Sequence, residues 1–233
     1  MVSAFRFEVG NMLALRSRRV FVTVGSLVLL VAALTTAFVP GLDQGNLPMA
    51  VLEAMVSVAG VYIPILVILV FAGDWKSGVT HYTLLHFQTR KQVWSAKTML
   101  SLAAAVSASL VCLASSFGLA AIPGGPSGTS PQNLGALLLG VAPIFLYSAL
   151  GLGLASALLN PWASIIAFIV VTSMDGLLGL LPGELSPWLQ FGTAVQALSG
   201  NEALSLPASV AVLLWIVPLT ALGFRRYQRS EVG

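Results

Sequence analysis

Six long apolar stretches constrain this chain more than any other feature of its sequence. They are Val20–Val39, Ala50–Ala72, Thr98–Ala121, Leu134–Leu159, Ala163–Leu181 and Ser205–Phe224. Each is close to the roughly 20 apolar residues that a helix needs to cross a bilayer. Of the 233 residues 57% are hydrophobic and 8% are charged, whereas a soluble domain has about 25% charged residues. The sequence therefore predicts a single-domain, all-α integral membrane protein with six transmembrane helices.

The basic residues are confined to three segments of the chain. Four precede the first stretch, four lie in residues 73–97 and three follow the last stretch, and these are all of its 11 Lys and Arg residues. Six crossings put the three segments on one side of the membrane, and short basic segments stay in the cytoplasm. We therefore expect both termini to be cytoplasmic. Spans rich in Leu, Val and Ala favour a bacterial inner (plasma) membrane.

Residues 3–17, ahead of the first span, have the pattern of an amphipathic helix. Their apolar side chains recur at the spacing of a single helix face, and these are Phe5, Val9, Met12 and Leu13. Arg6, Glu8 and Asn11 are assigned to other faces. A helix of this kind lies on the membrane surface, so the sequence predicts an N-terminal interfacial helix.

The connection at 73–97 is too long for a turn and too charged to cross a bilayer. Its charged residues are Asp74, Lys76, Arg90, Lys91 and Lys97. The pattern predicts a short helix, a break near residues 88–89 and a second helix that leads into the third span. A plain connector is the alternative, but the reversal NPW at 160–162 shows how short such a connector can be. We therefore interpret 73–97 as a docking surface for another protein.

Few residues are available for chemistry. His81 and His86 lie outside the spans and do not share a helix face, so metal ligation is not expected. Cys112 is the single cysteine, which excludes a disulfide within the chain. The sequence has no P-loop motif for ATP. We expect no catalytic residue, no metal and no cofactor bound by this chain.

Small residues are concentrated in the fourth span. GLGLAS (151–156) has the composition of a dinucleotide-binding loop, but it lies in a span with no preceding strand and no acidic partner. Small residues one turn apart favour close helix packing instead, and here they are Ala149, Gly153 and Ala157, with Gly151 and Ala155. The spacing predicts close contacts between this span and its neighbours.

Asp175 is the ionisable residue at depth in a span. It lies about 18 Å along a helix that begins at Ala163, and a carboxylate in the middle of a bilayer costs about 2.5–3.5 kcal/mol. One interpretation is a group that lines a cavity or pairs two helices. The other is a residue that reaches the outer water interface because the helix is tilted.

An ordered set of residues after the second span carries a family resemblance. The set begins with the acidic residue Asp74 and a Gly–Thr pair in Gly78-Val79-Thr80. It continues with the leucine pair Leu84-Leu85, the basic residue Arg90 and the lysine Lys97. In this order the chain resembles the permease subunits of type-2 ATP-binding-cassette exporters, whose fold is shared with the G-subfamily transporters of eukaryotes. It departs from them in the valine that splits the Gly–Thr pair and in HFQ (86–88), where a proline often begins the turn.

The resemblance covers the whole chain and implies a mechanism. Residues 182–203 are similar to the short re-entrant helices that this family has before its last span. The chain would be a non-catalytic half of a translocation pore, paired with a second permease copy or homologue. Two copies of a separate P-loop ATPase, which bind ATP and Mg, would dock on 73–97 and on the N-terminal helix, and closure of the ATPase pair would tilt the spans.

The resemblance also implies site residues. The ATPase-coupling residues would be Asp74, Gly78, Thr80, Leu84, Leu85, Phe87 and Arg90. The second and fifth spans would form the walls of a cavity, lined by Tyr62, Pro64, Thr172 and Asp175. An apolar cavity with one carboxylate suits an amphipathic or cationic peptide or drug-like compound as the exported cargo.

Two other classes of function stay open. One is a secondary carrier, or a structural membrane subunit, that works without an ATPase; carriers usually contain paired inverted repeats, and the two three-span halves are not convincingly similar. The other is an intramembrane enzyme, which needs convergent polar groups at depth, where Asp175 has only scattered Ser and Thr beside it. A neighbouring gene for a P-loop ATPase would separate the first hypothesis from both.

Overall fold

The predicted all-helical membrane fold is confirmed. The computed structural model describes residues 5–10, 16–38, 47–76, 78–79, 83, 89–120, 131–178, 180, 185–199 and 206–229. These ranges contain no β-strand, and they contain six helical segments that are long and apolar enough to cross a membrane. The chain is an integral multi-pass membrane protein.

The helices are numbered here in chain order. They are α1 over residues 5–10, α2 Arg16–Ala37, α3 Leu47–Lys76, α4 Arg90–Ala120, α5 Pro131–Gly140, α6 Ala142–Leu158, α7 Pro161–Ser173, α8 Asp175–Leu178, α9 Ser186–Leu189, α10 Phe191–Ser199 and α11 Leu206–Arg229. The fourth predicted span corresponds to α5 and α6 together, and the fifth to α7 and α8.

Two predicted spans depart from a continuous helix. The first break is at Val141, between α5 and α6, where Pro143 follows in the first turn of the new helix. Proline has no backbone N–H and cannot continue the hydrogen bonds of a preceding helix. The second is only a local irregularity at Met174, between α7 and α8, since the N–H of Met174 donates to the Val170 carbonyl at 2.9 Å and the N–H of Leu178 to the Met174 carbonyl at 2.8 Å. Hydropathy alone does not detect the break at Val141, because the side chains on both sides are apolar.

Helices α3 and α4 extend beyond their predicted spans. α3 continues to Lys76 and α4 begins at Arg90, whereas the apolar stretches end at Ala72 and begin at Thr98. The break predicted near residues 88–89 agrees with this, since Thr89 is not helical. Hydropathy locates the hydrocarbon core, whereas a helix continues as long as its backbone groups can pair with each other.

Close approach at small residues holds α6 against its neighbours. A Cβ placed on Gly151 would lie 3.1 Å from the Cβ of Pro64 in α3, and one placed on Gly153 would lie 3.1 Å from the Cβ of Leu219 in α11. A Cβ on Gly223 of α11 would overlap the hydroxyl of Ser156. The packing predicted for the small residues of the fourth span is thus observed at Gly151 and Gly153.

Helix α2 is attached to α3 through an aromatic contact. The rings of Phe21 and Tyr62 stack with their centroids 4.9 Å apart, and the Tyr62 hydroxyl donates a hydrogen bond of 2.8 Å to the Phe21 carbonyl. The absence of a side chain at Gly25 leaves room for the Tyr62 ring. Most other apolar side chains of α2 face outward, as expected for a helix in contact with lipid.

The described basic residues lie at one end of the helix bundle, called here the basic end. α2 and α4 begin there, and α3 and α11 end there. Arg90 donates a 3.1 Å hydrogen bond to the carbonyl of Gln228 in α11, and Arg226 donates one of 2.7 Å to the carbonyl of Ala157 in α6. The short helices α9 and α10 lie at the opposite end.

The reversal between α6 and α7 is also at the basic end. Leu159 adopts a left-handed conformation with φ 52°, which ends α6. The side-chain oxygen of Asn160 accepts hydrogen bonds from the backbone nitrogens of Trp162 and Ala163 at 3.1 and 3.4 Å. With Pro161 as the first helical residue, this is a capped start of α7. The tight reversal predicted at NPW is observed.

Candidate functional site

Four charged side chains are buried together at the basic end, and we call them the ion cluster: Glu8, Arg18, Asp74 and Lys97. Asp74 forms ion pairs with Arg18 through one oxygen and with Lys97 through the other. The Nζ of Lys97 also lies 3.2 Å from Oε2 of Glu8. Their exposed fractions are 1%, 8%, 0% and 1% in chain order. Two acids and two bases make the cluster formally neutral.

Each member of the ion cluster belongs to a different helix. Glu8 is in α1, Arg18 in the first turn of α2, Asp74 in the last turn of α3 and Lys97 in the first third of α4. Removing a charge from water costs several kcal/mol unless a partner and hydrogen bonds compensate for it. The cluster therefore fixes the ends of these four helices relative to one another.

Lys97 lies at the centre of the cluster. Besides its two carboxylate partners, its Nζ lies 3.5 Å from the carbonyl oxygen of Val70 and 6.0 Å from the centroid of the Phe71 ring. Both groups are on α3, one turn before Asp74. Lys97 thus joins the start of α4 to the end of α3 through an ion pair, a carbonyl contact and an aromatic ring.

The ionisation of Glu8 is perturbed by its position. Burial raises the pKa of its carboxyl above the ordinary 4.5, against the effect of Lys97, which lowers it; the Asp74 carboxylate raises it further. Within the described ranges, Oε1 of Glu8 and Nη1 of Arg18 are buried without a hydrogen-bond partner. A buried polar atom without a hydrogen bond lowers the stability of the folded state. The ion pairs of the cluster therefore form although not all of its hydrogen-bonding groups are satisfied.

The inward orientation of Glu8 corrects the sequence interpretation of the N-terminal helix. Phe5 and Val9 pack against Leu66, Val70 and Leu100 of the bundle. Glu8 lies on the same side, because positions i, i+3 and i+4 share one helix face. The sequence interpretation placed Glu8 on another face because no basic residue close to it in the sequence indicates that its carboxylate is buried in an ion pair. Met12 and Leu13 lie outside the described residues.

The predicted coupling residues are divided between the interior, the surface and the part of the chain that is not described. Asp74 is completely buried, so it contacts its ion partners and not an outside surface. Gly78 is half-buried in a left-handed turn with φ 74°, and Arg90 bonds to α11. The remaining predicted coupling residues lie outside the described residues, namely Thr80, Leu84, Leu85 and Phe87.

A cleft with a volume of about 590 Å³ opens toward the end opposite the ion cluster. We call it the cleft, and α3, α5, α6, α7 and α10 form its walls. Its polar lining includes Glu53, Ser57, Tyr147, Thr172 and Gln196. Its apolar lining includes Met49, Leu52, Val56, Val61, Pro143, Phe168 and Val195.

The four predicted cavity residues do not line a single cavity. Thr172 lines the cleft, but Tyr62 lines a separate apolar cleft of about 550 Å³ between α2, α3 and α4. Pro64 is buried against Gly151 of α6. The reason is the rotation of the residues around the axis of α3. One face of this helix borders the cleft, and its residues recur at i, i+3, i+4, i+7 and i+8, namely Glu53, Val56, Ser57, Gly60 and Val61. Tyr62 and Pro64 lie on other faces and point to other neighbours.

Asp175 pairs two elements at the end opposite the ion cluster. Its Oδ2 accepts a hydrogen bond of 2.6 Å from the backbone nitrogen of Thr193, in the first turn of α10. Its backbone carbonyl accepts one of 3.0 Å from the side chain of Gln190. A Cβ on Gly192 would lie 2.7 Å from Oδ2, so glycine is needed for this approach. The half-buried Asp175 thus holds the start of α10 against the end of α7.

No group of three or more His, Cys, Asp or Glu side chains with the arrangement of a metal site occurs among the described residues. Both histidines lie outside those residues. Cys112 is buried in α4. Compared with known proteins, the chain matches no family model and no curated protein.

Proposed function

We propose that this chain is the membrane subunit of an ATP-driven transporter of the type-2 ATP-binding-cassette exporter kind. The basic end would be cytoplasmic, and a separate ATPase would dock on residues 73–97. The observation that carries the proposal is the ion cluster, which fastens both helices that lead into and out of this segment. A connector with no mechanical role does not need a buried, neutral four-charge attachment at both of its ends.

In this proposal the ion cluster transmits movement. A push on residues 77–89 reaches α3 through Asp74 and α4 through Lys97, while Glu8 and Arg18 carry it to α1 and α2. Separating buried ion partners is costly, so these four helix ends move together and do not slide past one another. The energy of ATP-driven closure would then tilt the spans without being lost in local deformation.

The second permease copy would supply the other half of the pore. The cleft is open on one side and carries the carboxylate of Glu53, which supports an amphipathic or cationic compound as cargo.

Co-purification tests this function. The chain is expressed with its neighbouring genes and isolated in mild detergent, and the recovered proteins are assayed for nucleotide binding. We expect a P-loop ATPase to co-purify, and to be lost when Leu84, Leu85 and Phe87 are changed together to Asp. The matched control is Leu180→Asp, an exposed apolar position at the other end of the bundle, which should retain the ATPase.

Two results would count against the proposal. If no nucleotide-binding protein is recovered with the native chain, the exporter hypothesis is wrong. If an ATPase is recovered equally with the triple variant and with the control, it binds elsewhere and residues 73–97 do not couple it.

A secondary carrier without an ATPase is the second candidate. The observation that favours it is a pair of carboxylates near one cleft: Glu53 in its wall and Asp175 beside Tyr147, which also lines it. Acidic residues in spans often serve as ion or proton sites in carriers. Transport into proteoliposomes driven by an ion gradient, without nucleotide, would support this candidate over the first.

A further inference from the structure

We infer that the cleft binds a monovalent organic cation with an apolar body, and that Glu53 is its counter-ion. The volume of about 590 Å³ is within the range of about 300–1,000 Å³ that is typical of sites for small molecules. The inference rests on the proposed function only for the role of the cation as cargo. Binding itself requires neither an ATPase nor a second copy.

The charge of the cleft is the first argument. Glu53 is the one charged residue among its described lining residues, and it forms no ion pair with any residue that the structure describes. Glu53 is exposed and lies six residues after the start of α3, so its carboxylate is accessible from the open side of the cleft. The cleft therefore offers one negative charge that has no basic partner among the described residues.

The chain does not supply that charge. All its Lys and Arg residues fall in segments at the basic end, and Asp74 at that end is about 32 Å from Glu53 along α3, at 1.5 Å per residue. A second copy related by an axis along the membrane normal presents the same end at the same depth. It therefore brings further acidic residues and no base. A cationic ligand would therefore meet no competing base in the cleft.

The walls of the cleft specify the rest of the ligand. Aliphatic side chains of α3 and the rings of Phe168 and Tyr147 line the same cleft as Glu53. The ring of Tyr147 is fixed by edge contacts to Phe168 and Phe191, with centroids 6.2 and 5.5 Å away. Aromatic faces attract organic cations, whereas small hydrated metal ions need several oxygen ligands. An organic cation with an apolar body is complementary both to the carboxylate of Glu53 and to the apolar walls of the cleft.

The test is equilibrium dialysis of the purified chain in detergent micelles against tetraphenylphosphonium, with empty micelles as the blank. Tetraphenylborate, which has nearly the same shape and the opposite charge, is dialysed in parallel. We expect saturable binding of the phosphonium and none of the borate. Glu53→Gln should weaken phosphonium binding by at least about tenfold, because a cation close to a carboxylate in a partly desolvated cleft is strongly attracted.

Three variants make the result specific. Glu53→Asp keeps the charge and should retain most of the affinity. Glu231→Gln removes the same charge at a position two residues after Arg229 in the sequence, outside the described residues, and should bind like the native chain. Thr172→Phe fills the cleft without changing its charge and should abolish binding. Size-exclusion chromatography checks that each variant is folded.

The inference is wrong if phosphonium binding is not saturable, if Glu53→Gln binds as tightly as the native chain, or if the borate competes for the same site. Its outcome is separable from that of the proposed function. If the chain binds the cation but no ATPase co-purifies with it, the cation site is supported and the exporter hypothesis is wrong. If an ATPase co-purifies but the chain does not bind the cation, the exporter hypothesis is supported and the cation site is wrong.

Discussion

The Nζ of Lys97 lies 3.2 Å from Oε2 of Glu8, a residue 89 positions earlier in the chain. This contact joins α1 to the start of α4, and both side chains are buried. Because Lys97 also pairs with Asp74, the loss of one charge changes the environment of the others. Substitutions in the ion cluster should therefore be strongly non-additive.

Lys97→Met should destabilise the protein markedly. It leaves two buried carboxylates without a shared cation, a kind of change that typically costs about 3–5 kcal/mol. Glu8→Gln with Lys97→Met should cost less than Lys97→Met alone, since Arg18 and Asp74 still neutralise each other. Apparent melting temperatures in detergent measure the cycle. Lys91→Met, at an exposed position of the same helix, is the control; equal melting of Lys97→Met and Lys91→Met would contradict the prediction.

Stability should depend on pH through Glu8. Its folded-state pKa is raised above 4.5, chiefly by burial, so the folded state holds the proton more tightly than the unfolded state does. This contribution to the free energy of unfolding is fully present below pH 4.5 and is lost as the pH rises through the raised pKa. Melting between about pH 5 and about pH 8 should fall more steeply for the native chain than for Glu8→Gln. Parallel curves would mean that Glu8 does not titrate in this range.

The contact between Asp175 and Thr193 should control access to the inner face of α10. Val195, two residues further on, is buried, and a cysteine placed there in a Cys112→Ala background should react slowly with an impermeant maleimide. Asp175→Ala removes an acceptor of the kind that is worth about 1 kcal/mol at a helix start, so labelling should accelerate about fivefold. Thr193→Val keeps the backbone N–H and should label as slowly as the parent. Equal rates in all three would exclude this role.

Gly223→Ala should push α11 away from α6. The new methyl group would overlap the Ser156 hydroxyl and approach the backbone nitrogen of Ala157 to 3.0 Å, and overpacking of this kind costs about 1–3 kcal/mol. Adding Ser156→Gly should restore part of the loss. Gly118→Ala, where no atom lies within 4 Å of the new group, should be neutral or stabilising. Thermal unfolding of the three variants decides; a loss at Gly118 equal to that at Gly223 would refute the packing argument.

The number and type of spans could be predicted from the sequence because hydropathy is a sum over about 20 neighbouring residues. The end of α3 could not, since a helix and a hydrocarbon core stop for different reasons. The start of α4 at Arg90 agrees with the break that the sequence predicted near residues 88–89. Hydropathy also does not register the interruption at Val141, because apolar composition continues through it; Pro143 is the residue in the sequence that can mark it.

The ion cluster shows a different limit of sequence interpretation. Arg18 and Lys97 fit the expectation that basic residues orient the chain, and nothing near them in the sequence indicates that they are buried. Asp74 and Lys97 entered through the family resemblance, as separate members of an ordered set. Glu8 was missed, although its spacing of three from Phe5 was the available signal. Partners so distant in sequence are identified only by the tertiary fold.

The members of the ion cluster leave the ribosome at different times during synthesis. Asp74 precedes Lys97 by 23 positions, so it leaves the ribosome about 1–5 s earlier at ordinary translation rates. During that interval Asp74 has one of its two basic partners, and Glu8 has not yet met its own. The four-charge group becomes formally neutral only when the third span brings Lys97.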